Sequence, residues 1–258
     1  MGGRLSGVLA VLLVCLAFVW TPARSAPPAT DFSDWAAVVV AGDWRSSTGG
    51  DTQAFDNARR DVSAALIKAG FSPSNLRQFS LRPHRPGDNP SVVVEPDAVA
   101  EGFIDMARQT RGGCLFYLTS HGSPYGAVFG ERMTLTPAML DRLLTEACGT
   151  RPTVAVISAC FSGVFIPVLA RSNRMILTAA RPDRSSFGCS ERDRYPYFDY
   201  CVLETLPKSR DWVALAKAVK VCVARRETEQ GMAPPSEPQT SIGAQMQIDL
   251  PFMRFAGP

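Results

Sequence analysis

Two stretches decide the fold of this chain: CLFYLTSHGS at residues 114–123 and TVAVISACFSG at residues 153–163. Each begins as an uninterrupted apolar run, which is typical of a strand buried on both faces, and ends in small polar residues and glycine. His121 follows the first run, and Cys160 follows the second. Because the chain contains only two histidines, a cysteine–histidine nucleophile pair has few other ways to be built.

Apolar runs and amphipathic segments alternate on both sides of these two stretches. Buried or alternating runs predict strands at 35–41, 76–81, 114–119, 153–159 and 175–180, a small hairpin at 127–135 and a terminal strand within 242–255. Apolar spacings of three and four predict helices at 55–69, 96–109, 136–147 and 212–223, with a short helical turn at 165–170. This alternation predicts an α/β fold with a mostly parallel sheet flanked by helices on both faces.

The pattern also places His121 and Cys160 at one edge of the predicted sheet, where ligands bind in such folds. A thiol attacks as its thiolate, and an imidazole within reach can accept the thiol proton and later protonate a leaving amine. The backbone N–H groups of Gly122 and Cys160 are candidates for an oxyanion hole. The second histidine, His84, lies in a loop rich in proline and arginine and is expected to be solvated.

The composition, 46% hydrophobic and 20% charged, is that of an ordinary globular protein. Without the two arginines of the predicted leader the net charge is about +1, so neither nucleic acid nor an anionic membrane surface is an expected partner. The sequence has no metal-binding or nucleotide-binding motif, and its two histidines lie in very different contexts, so we expect no metal. Its length fits a single domain over residues 35–258.

The first 25 residues have the pattern of a signal peptide. A positive charge precedes the apolar run at 8–20, and small residues follow near Ser25. We expect export to the periplasm or the exterior after cleavage near Ser25, with membrane contact only through this transient segment. The alternative is an uncleaved anchor, but an apolar run of 13 residues is short for a bilayer. Residues 26–34 are expected to form a disordered lead-in.

Six cysteines remain once Cys15 leaves with the leader. If Cys160 stays a free thiol, at most two disulfides can form among the other five. Cys189 with Cys201, or either of them with Cys222, are the candidate pairs. Cys114 begins an apolar run and is expected to be a buried free thiol.

Four segments resemble the legumain family of cysteine peptidases, in the caspase-like superfamily. Tyr117–Ser123 (YLTSHGS) and Ser158–Gly163 (SACFSG) resemble its histidine and cysteine motifs, and WAAVVVAG at 35–42 and TAARPDRSSFGC at 178–189 resemble their legumain counterparts in the same order. The resemblance, to a bacterial-type exported member, implies a caspase-like three-layer sandwich. It also implies a cysteine endopeptidase that cleaves peptides or proteins through a thioester acyl-enzyme, with His121 and Cys160 as the dyad and without a cofactor.

The resemblance further implies where a substrate binds. Its backbone would pair alongside the segment after the 175–180 strand, at Ser185 and Ser186. Asp199 would lie in the pocket for the residue before the scissile bond and favour a basic or amide side chain there, the alternative being a solvated loop carboxylate. The group that supports the histidine is not identified, although Asp43 and Asp51 are considered.

Two other functions remain open at this point. A transamidase or peptide ligase of the same family would form the same acyl-enzyme and transfer it to an amine rather than to water. A non-catalytic relative would bind peptides in the same cleft.

Overall fold

A six-stranded sheet runs through the middle of the protein, whose computed structural model describes residues 1–3 and 31–256. The strands are β1 (Ala36–Ala41), β2 (Leu76–Ser80), β3 (Cys114–Thr119), β4 (Gly122–Ser123), β5 (Gly126–Val128), β6 (Thr134–Leu135), β7 (Thr153–Ser158), β8 (Arg174–Thr178) and β9 (Gln239–Ile242). The main sheet has the order β2-β1-β3-β7-β8-β9, and all its neighbours pair in parallel except β8 and β9. Strands β4, β5 and β6 form a separate small antiparallel sheet.

Helices connect the strands and cover the main sheet. They are α1 (Ala54–Lys68), α2 (Pro96–Gln109), α3 (Pro137–Cys148), α4 (Ile166–Leu169), α5 (Tyr197–Thr205), α6 (Trp212–Glu229) and α7 (Ala244–Asp249). The side chains of Thr136 and Asp211 cap α3 and α6 by accepting backbone N–H bonds in the first turn. Among the helices of residues 1–3 and 31–256, none combines the length and the hydrophobicity that crossing a bilayer would need.

Alternate residues of the central strands face opposite layers of helices. On one face Val39 and Tyr117 pack with residues of α1, α5 and α6; on the other, Val40 and Phe116 pack with residues of α2 and α3. Burying one large apolar side chain in such a layer stabilises the fold by roughly 1.5–3 kcal/mol. This arrangement is the predicted three-layer sandwich with a mostly parallel sheet, and the predicted fold class is confirmed.

The chain becomes ordered earlier than the predicted lead-in would allow. Phe32–Asp34 forms a turn of 3₁₀ helix, and the Phe32 ring, 2% exposed, stacks on Phe71 at a centroid distance of 4.9 Å. The expectation of disorder through residue 34 is therefore wrong for residues 32–34, because an aromatic side chain has a buried position to fill. The signal peptide predicted at residues 1–25 lies, apart from its first three residues, in the undescribed part of the chain at 4–30, as does its predicted cleavage near Ser25.

Two elements near the C-terminal end differ from the sequence prediction. No helix was expected at Tyr197–Thr205, but α5 occupies these residues, with Pro196 at its N-cap. The predicted terminal strand within 242–255 is wrong: β9 ends at Ile242, and α7 occupies Ala244–Asp249. Helices α5 and α7 are short, and their conformation depends on contacts with distant parts of the chain. Local sequence patterns do not indicate such contacts.

The described residues contain two disulfides, Cys114–Cys148 and Cys201–Cys222. The second is one of the pairs left open by the sequence. The expectation that Cys114 is a free thiol is wrong, since it links the start of β3 to the end of α3. Among the described cysteines, Cys160 and Cys189 remain free.

Candidate active site

The carboxyl ends of β3 and β7 carry the two predicted catalytic residues. These strands are parallel neighbours, and their register pairs Thr119 with Ser158. His121 lies two residues beyond Thr119, and Cys160 lies two residues beyond Ser158. The equal offsets bring both side chains to the same edge of the sheet.

A cleft of about 390 Å³ opens at this edge, and both His121 and Cys160 line it. The rest of its lining comes from Ser47, from Met232 and from side chains in the loop after β8 and the start of α5. The two residues are thus accessible to a ligand from one cavity. Its opening at the carboxyl ends of parallel strands is the usual location of a binding site in this class of fold.

His121 is held by a backbone group that the sequence did not reveal. Its Nε2 lies 2.9 Å from the carbonyl oxygen of Arg45, and its ring packs edge-on against Phe55 with centroids 5.1 Å apart. Because a carbonyl only accepts hydrogen bonds, Nε2 is the donor and carries a proton. In the neutral imidazole this leaves Nδ1 as the basic nitrogen.

Asp43 holds the loop that supplies this carbonyl. Its Oδ1 accepts hydrogen bonds from the backbone N–H of Trp44 at 2.8 Å and of Arg45 at 3.1 Å, and from Nε of Arg45 at 2.8 Å. Asp43 therefore supports the histidine indirectly, through the backbone of Arg45. Asp51, the other residue considered for this role, pairs with Arg85 on the surface.

The Cys160 thiol lies against the backbone of Ser186. The Ser186 N–H donates to Sγ at 3.2 Å, and the thiol donates to the Ser186 carbonyl at 3.4 Å. The next residue, Phe161, has a left-handed φ of 56°, and its N–H donates to the Arg184 carbonyl at 2.7 Å. The segment after β8 is therefore bound to the loop that carries the cysteine.

Gly122 is required by the close approach of the two loops. A Cβ atom at this position would lie 2.0 Å from the carbonyl oxygen of Cys160 and 3.0 Å from Cβ of Ala159. Any larger residue would push the histidine loop away from the cysteine loop. This contact places the backbone of residue 122 directly beside that of the cysteine.

The predicted substrate-binding residues separate into three positions. Ser186 lines the cleft, whereas Ser185 is exposed and does not line it. Asp199 is fully buried beneath the cleft and is also absent from its lining. The expectation that Asp199 contacts substrate is therefore corrected, and it is not a solvated loop carboxylate either.

Asp199 joins the two strands that carry the site. Its carboxylate accepts hydrogen bonds from the hydroxyls of Tyr117 at 2.5 Å, Thr119 at 2.6 Å and Ser158 at 2.9 Å. Burial raises the pKa of Asp199 from 3.8 to about 6, and the three hydroxyls oppose the shift. Since Thr119 and Ser158 each lie two residues before a predicted catalytic residue, Asp199 helps to set their relative position.

Two further side chains in the cleft were not predicted from the sequence. Cys189 is a buried free thiol whose pKa is raised well above its ordinary value, mainly by burial. Asp193 lines the same cleft and supplies a carboxylate. Within the described ranges, no set of three or more His, Cys, Asp or Glu side chains is arranged to hold a metal ion.

The fold defines the class of protein. The structure is similar to caspase-1 from Spodoptera frugiperda, with a TM-score of 0.60 and 15% sequence identity over 85% of this chain and 91% of that one. At this identity the similarity shows a shared fold, so the chain is a caspase-like α/β protein. A comparison with curated proteins found no match.

A family model matches the part of the sequence that builds the site. Residues 106–233 match the model of the Peptidase C13 family, and this segment contains β3, β7, the loop after β8 and most of the cleft. Together with the fold, this match to the legumain family supports a legumain-like and caspase-like protein of the cysteine-peptidase type.

Proposed function

We propose that this protein is a cysteine endopeptidase in which Cys160 is the nucleophile and His121 is the general base. The observation that carries the proposal is that both side chains line one cleft at equal offsets from paired strand ends. The hydrogen bond from Nε2 of His121 to the Arg45 carbonyl supports it, because it fixes the ring with Nδ1 free to accept a proton.

The reaction would proceed in two steps. The Cys160 sulfur attacks the carbonyl carbon of the scissile peptide bond, the C–N bond breaks, and the proton taken by His121 passes to the leaving amine. Water then attacks the thioester, which releases the carboxylic acid and restores the thiol. In the described conformation the thiol donates to the Ser186 carbonyl, so the sulfur turns away from that carbonyl before it attacks.

Backbone groups near the cysteine would assist both steps. The N–H groups of Gly122 and Cys160 belong to loops in direct contact and are suited to stabilise the oxyanion. The loss of one such donor costs on the order of 3 kcal/mol of transition-state stabilisation in comparable enzymes. The peptide would extend along the segment that contains Ser185 and Ser186, with Ser186 next to the nucleophile.

The protein would act outside the cytoplasm. The sequence supports export through its N-terminal signal pattern, and two disulfides among the described residues are typical of an oxidising compartment. Cys160, the proposed nucleophile, takes part in neither disulfide.

The reaction class is tested by product analysis of a peptide library, with and without an added primary amine. We expect mass spectrometry to show products with free carboxyl termini, and amine adducts only as a minor fraction. Mainly amine adducts would identify a transamidase or ligase. Tight peptide binding without any cleavage would identify a non-catalytic relative.

A further inference from the structure

We infer that this cleft receives a lysine or arginine side chain from the residue before the scissile bond, with Asp193 as its ionic partner. The inference rests on the proposed peptidase function and adds the substrate class. Asp193 lines the cavity that also contains His121 and Cys160. A substrate carbonyl placed at Cys160 would thus have its neighbouring side chain within the same cavity.

The carboxylate of Asp193 has one oxygen engaged and one available. Oδ2 accepts hydrogen bonds from the backbone N–H of Ser190 at 2.8 Å and from its hydroxyl at 2.6 Å. The other oxygen, Oδ1, has no partner among the described residues. A carboxylate that lines a binding cavity and keeps one oxygen without a partner is suited to accept from a cationic side chain.

The arginines near the cleft do not neutralise this carboxylate. Arg45 pairs with Asp43 at 2.8 Å, and Arg226 lies over the Tyr197 ring with its guanidinium carbon 4.5 Å from the ring centroid. In the described part of the chain, no lysine or arginine is within ion-pair distance of Asp193. A bound lysine or arginine would therefore supply the missing positive charge.

The electrostatic surroundings of the cleft also favour a cation. Burial is the first cause of the raised pKa of Cys189; the nearby Cys160 sulfur and the carboxylates of Asp199, Asp193 and Asp43 raise it further. Of the three carboxylates, Asp193 lines the cavity itself. An acidic substrate side chain would meet repulsion there, whereas a basic one would be attracted.

The charge of Asp193, not hydrogen bonding alone, distinguishes a basic side chain from an amide. An amide needs both acceptors and donors in the cleft, while lysine and arginine need acceptors only. Both donors of Ser190 are engaged by Oδ2, and the N–H of Ser47 donates to the Cys189 carbonyl. The hydroxyls of Ser47 and Tyr197 in the lining, however, remain able to serve an amide. The preference for a basic side chain over asparagine or glutamine therefore rests on the charge of Asp193, which an amide cannot neutralise.

A purely structural role for Asp193 would be to close the turn between Ser190 and Asp193. Both turn bonds to its side chain use Oδ2, and its own N–H donates to the Ser190 carbonyl at 3.2 Å. Asparagine in this place keeps an acceptor oxygen for the turn and removes the charge. Asp193→Asn therefore separates the two roles.

The test measures kcat/KM for matched peptides that differ only in the residue before the scissile bond: lysine, arginine, asparagine, glutamine, alanine and aspartate. For the wild-type protein we expect lysine and arginine peptides to be cleaved at least about 100-fold faster than the aspartate peptide. Asp193→Asn is expected to lower cleavage of the basic peptides by about 10-fold or more and that of the alanine peptide by less than about 3-fold.

Glu191→Gln is the matched control, because it removes the same charge two residues away. Glu191 is exposed, lies outside the cleft and accepts from the hydroxyl of Thr48 through an oxygen that glutamine also has. We expect this variant to keep the wild-type preference. Preference for asparagine or aspartate, or an unchanged preference in Asp193→Asn, would overturn the inference and leave the peptidase proposal intact. No cleavage of any peptide would overturn both.

Discussion

Cys160→Ala and His121→Ala are each expected to lower peptide cleavage by at least about 1,000-fold while the protein remains folded. Alanine at 160 removes the atom that would form the thioester, and the Ser186 hydroxyl, 3.5 Å from Sγ in the wild type, contains no sulfur to replace it. Alanine at 121 removes the base that accepts the thiol proton, although the Arg45 carbonyl and the rest of the cleft stay in place. Initial rates with one good peptide substrate, together with thermal unfolding of each variant, check this.

His84→Ala is the matched control for the histidine change. His84 is exposed in the loop between β2 and α2 and is the only other histidine of the chain. We expect this variant to retain wild-type activity. Activity lost on His84→Ala but kept on His121→Ala would contradict the assignment of the base, and a fully active Cys160→Ala protein would contradict the nucleophile.

Asp199→Asn is expected to change how stability depends on pH. The folded pKa of Asp199 is about 6, above the ordinary value of 3.8, so the folded protein binds this proton more tightly than the unfolded chain. The resulting stabilisation is fully present below pH 3.8 and is lost as the pH rises through 6. Over the whole range it amounts to about 3 kcal/mol, and between pH 4 and pH 7 to about 2 kcal/mol.

The measurement is urea unfolding of the wild-type and Asp199→Asn proteins at several pH values between 4 and 7. The free energy of unfolding of the wild type, relative to the variant, should fall by about 2 kcal/mol across this range. Carboxyls with lowered pKa values, such as Asp61 and Asp141, give the opposite trend but are present in both proteins. A constant difference between the two proteins would show that Asp199 does not titrate in this way.

Asp105→Asn provides a matched comparison for this measurement. Asp105 is an exposed carboxyl on α2, and its side chain is 56% exposed beside Arg108. Its replacement removes one carboxyl without altering a buried site, so the wild-type pH dependence should persist. A change as large as that of Asp199→Asn would assign the effect to net charge and not to the buried carboxyl.

The fold was predictable from the sequence because its signals are local. The apolar runs at 35–41, 114–119 and 153–159 contain residues buried on both faces, so each identifies a central strand without any knowledge of its neighbours. The positions of His121 and Cys160 just beyond two of these runs then place them at one sheet edge. The sequence could not show that Thr119 and Ser158 lie opposite each other, because that depends on the register of β3 and β7. The finding that His121 and Cys160 each lie two residues beyond this pair therefore needed the structure.

The remaining parts of the site depend on contacts between distant residues. The Arg45 carbonyl, which accepts from His121, is 76 positions away in sequence. Every residue type has a backbone carbonyl, so the identity of residue 45 gives no indication of this hydrogen bond. Asp199 was noticed in the sequence, but its burial beneath β3 and β7 follows from α5, which was not predicted. Asp193 lies in a polar loop that gives no local signal of which carboxylate faces the cleft.

The pairing of cysteines shows the same limit. The sequence allowed Cys201 with Cys222 as one of several pairs, since both lie in the C-terminal part of the chain. It did not reveal Cys114–Cys148, because the apolar context of Cys114 is equally that of a buried thiol. Which cysteines meet is decided by how α3 packs beside β3, a long-range feature of the fold.

The central claim is that peptide cleavage passes through a thioester on Cys160. Rapid acid quenching of the wild-type protein during cleavage of a peptide ester, followed by intact-mass and peptide-mapping mass spectrometry, tests it most directly. The account predicts a mass increase equal to the acyl part of the substrate, located on Cys160 and removed by hydroxylamine. An acyl group on any other residue, or rapid cleavage with no acyl-enzyme and an unaltered rate in Cys160→Ala, would contradict it.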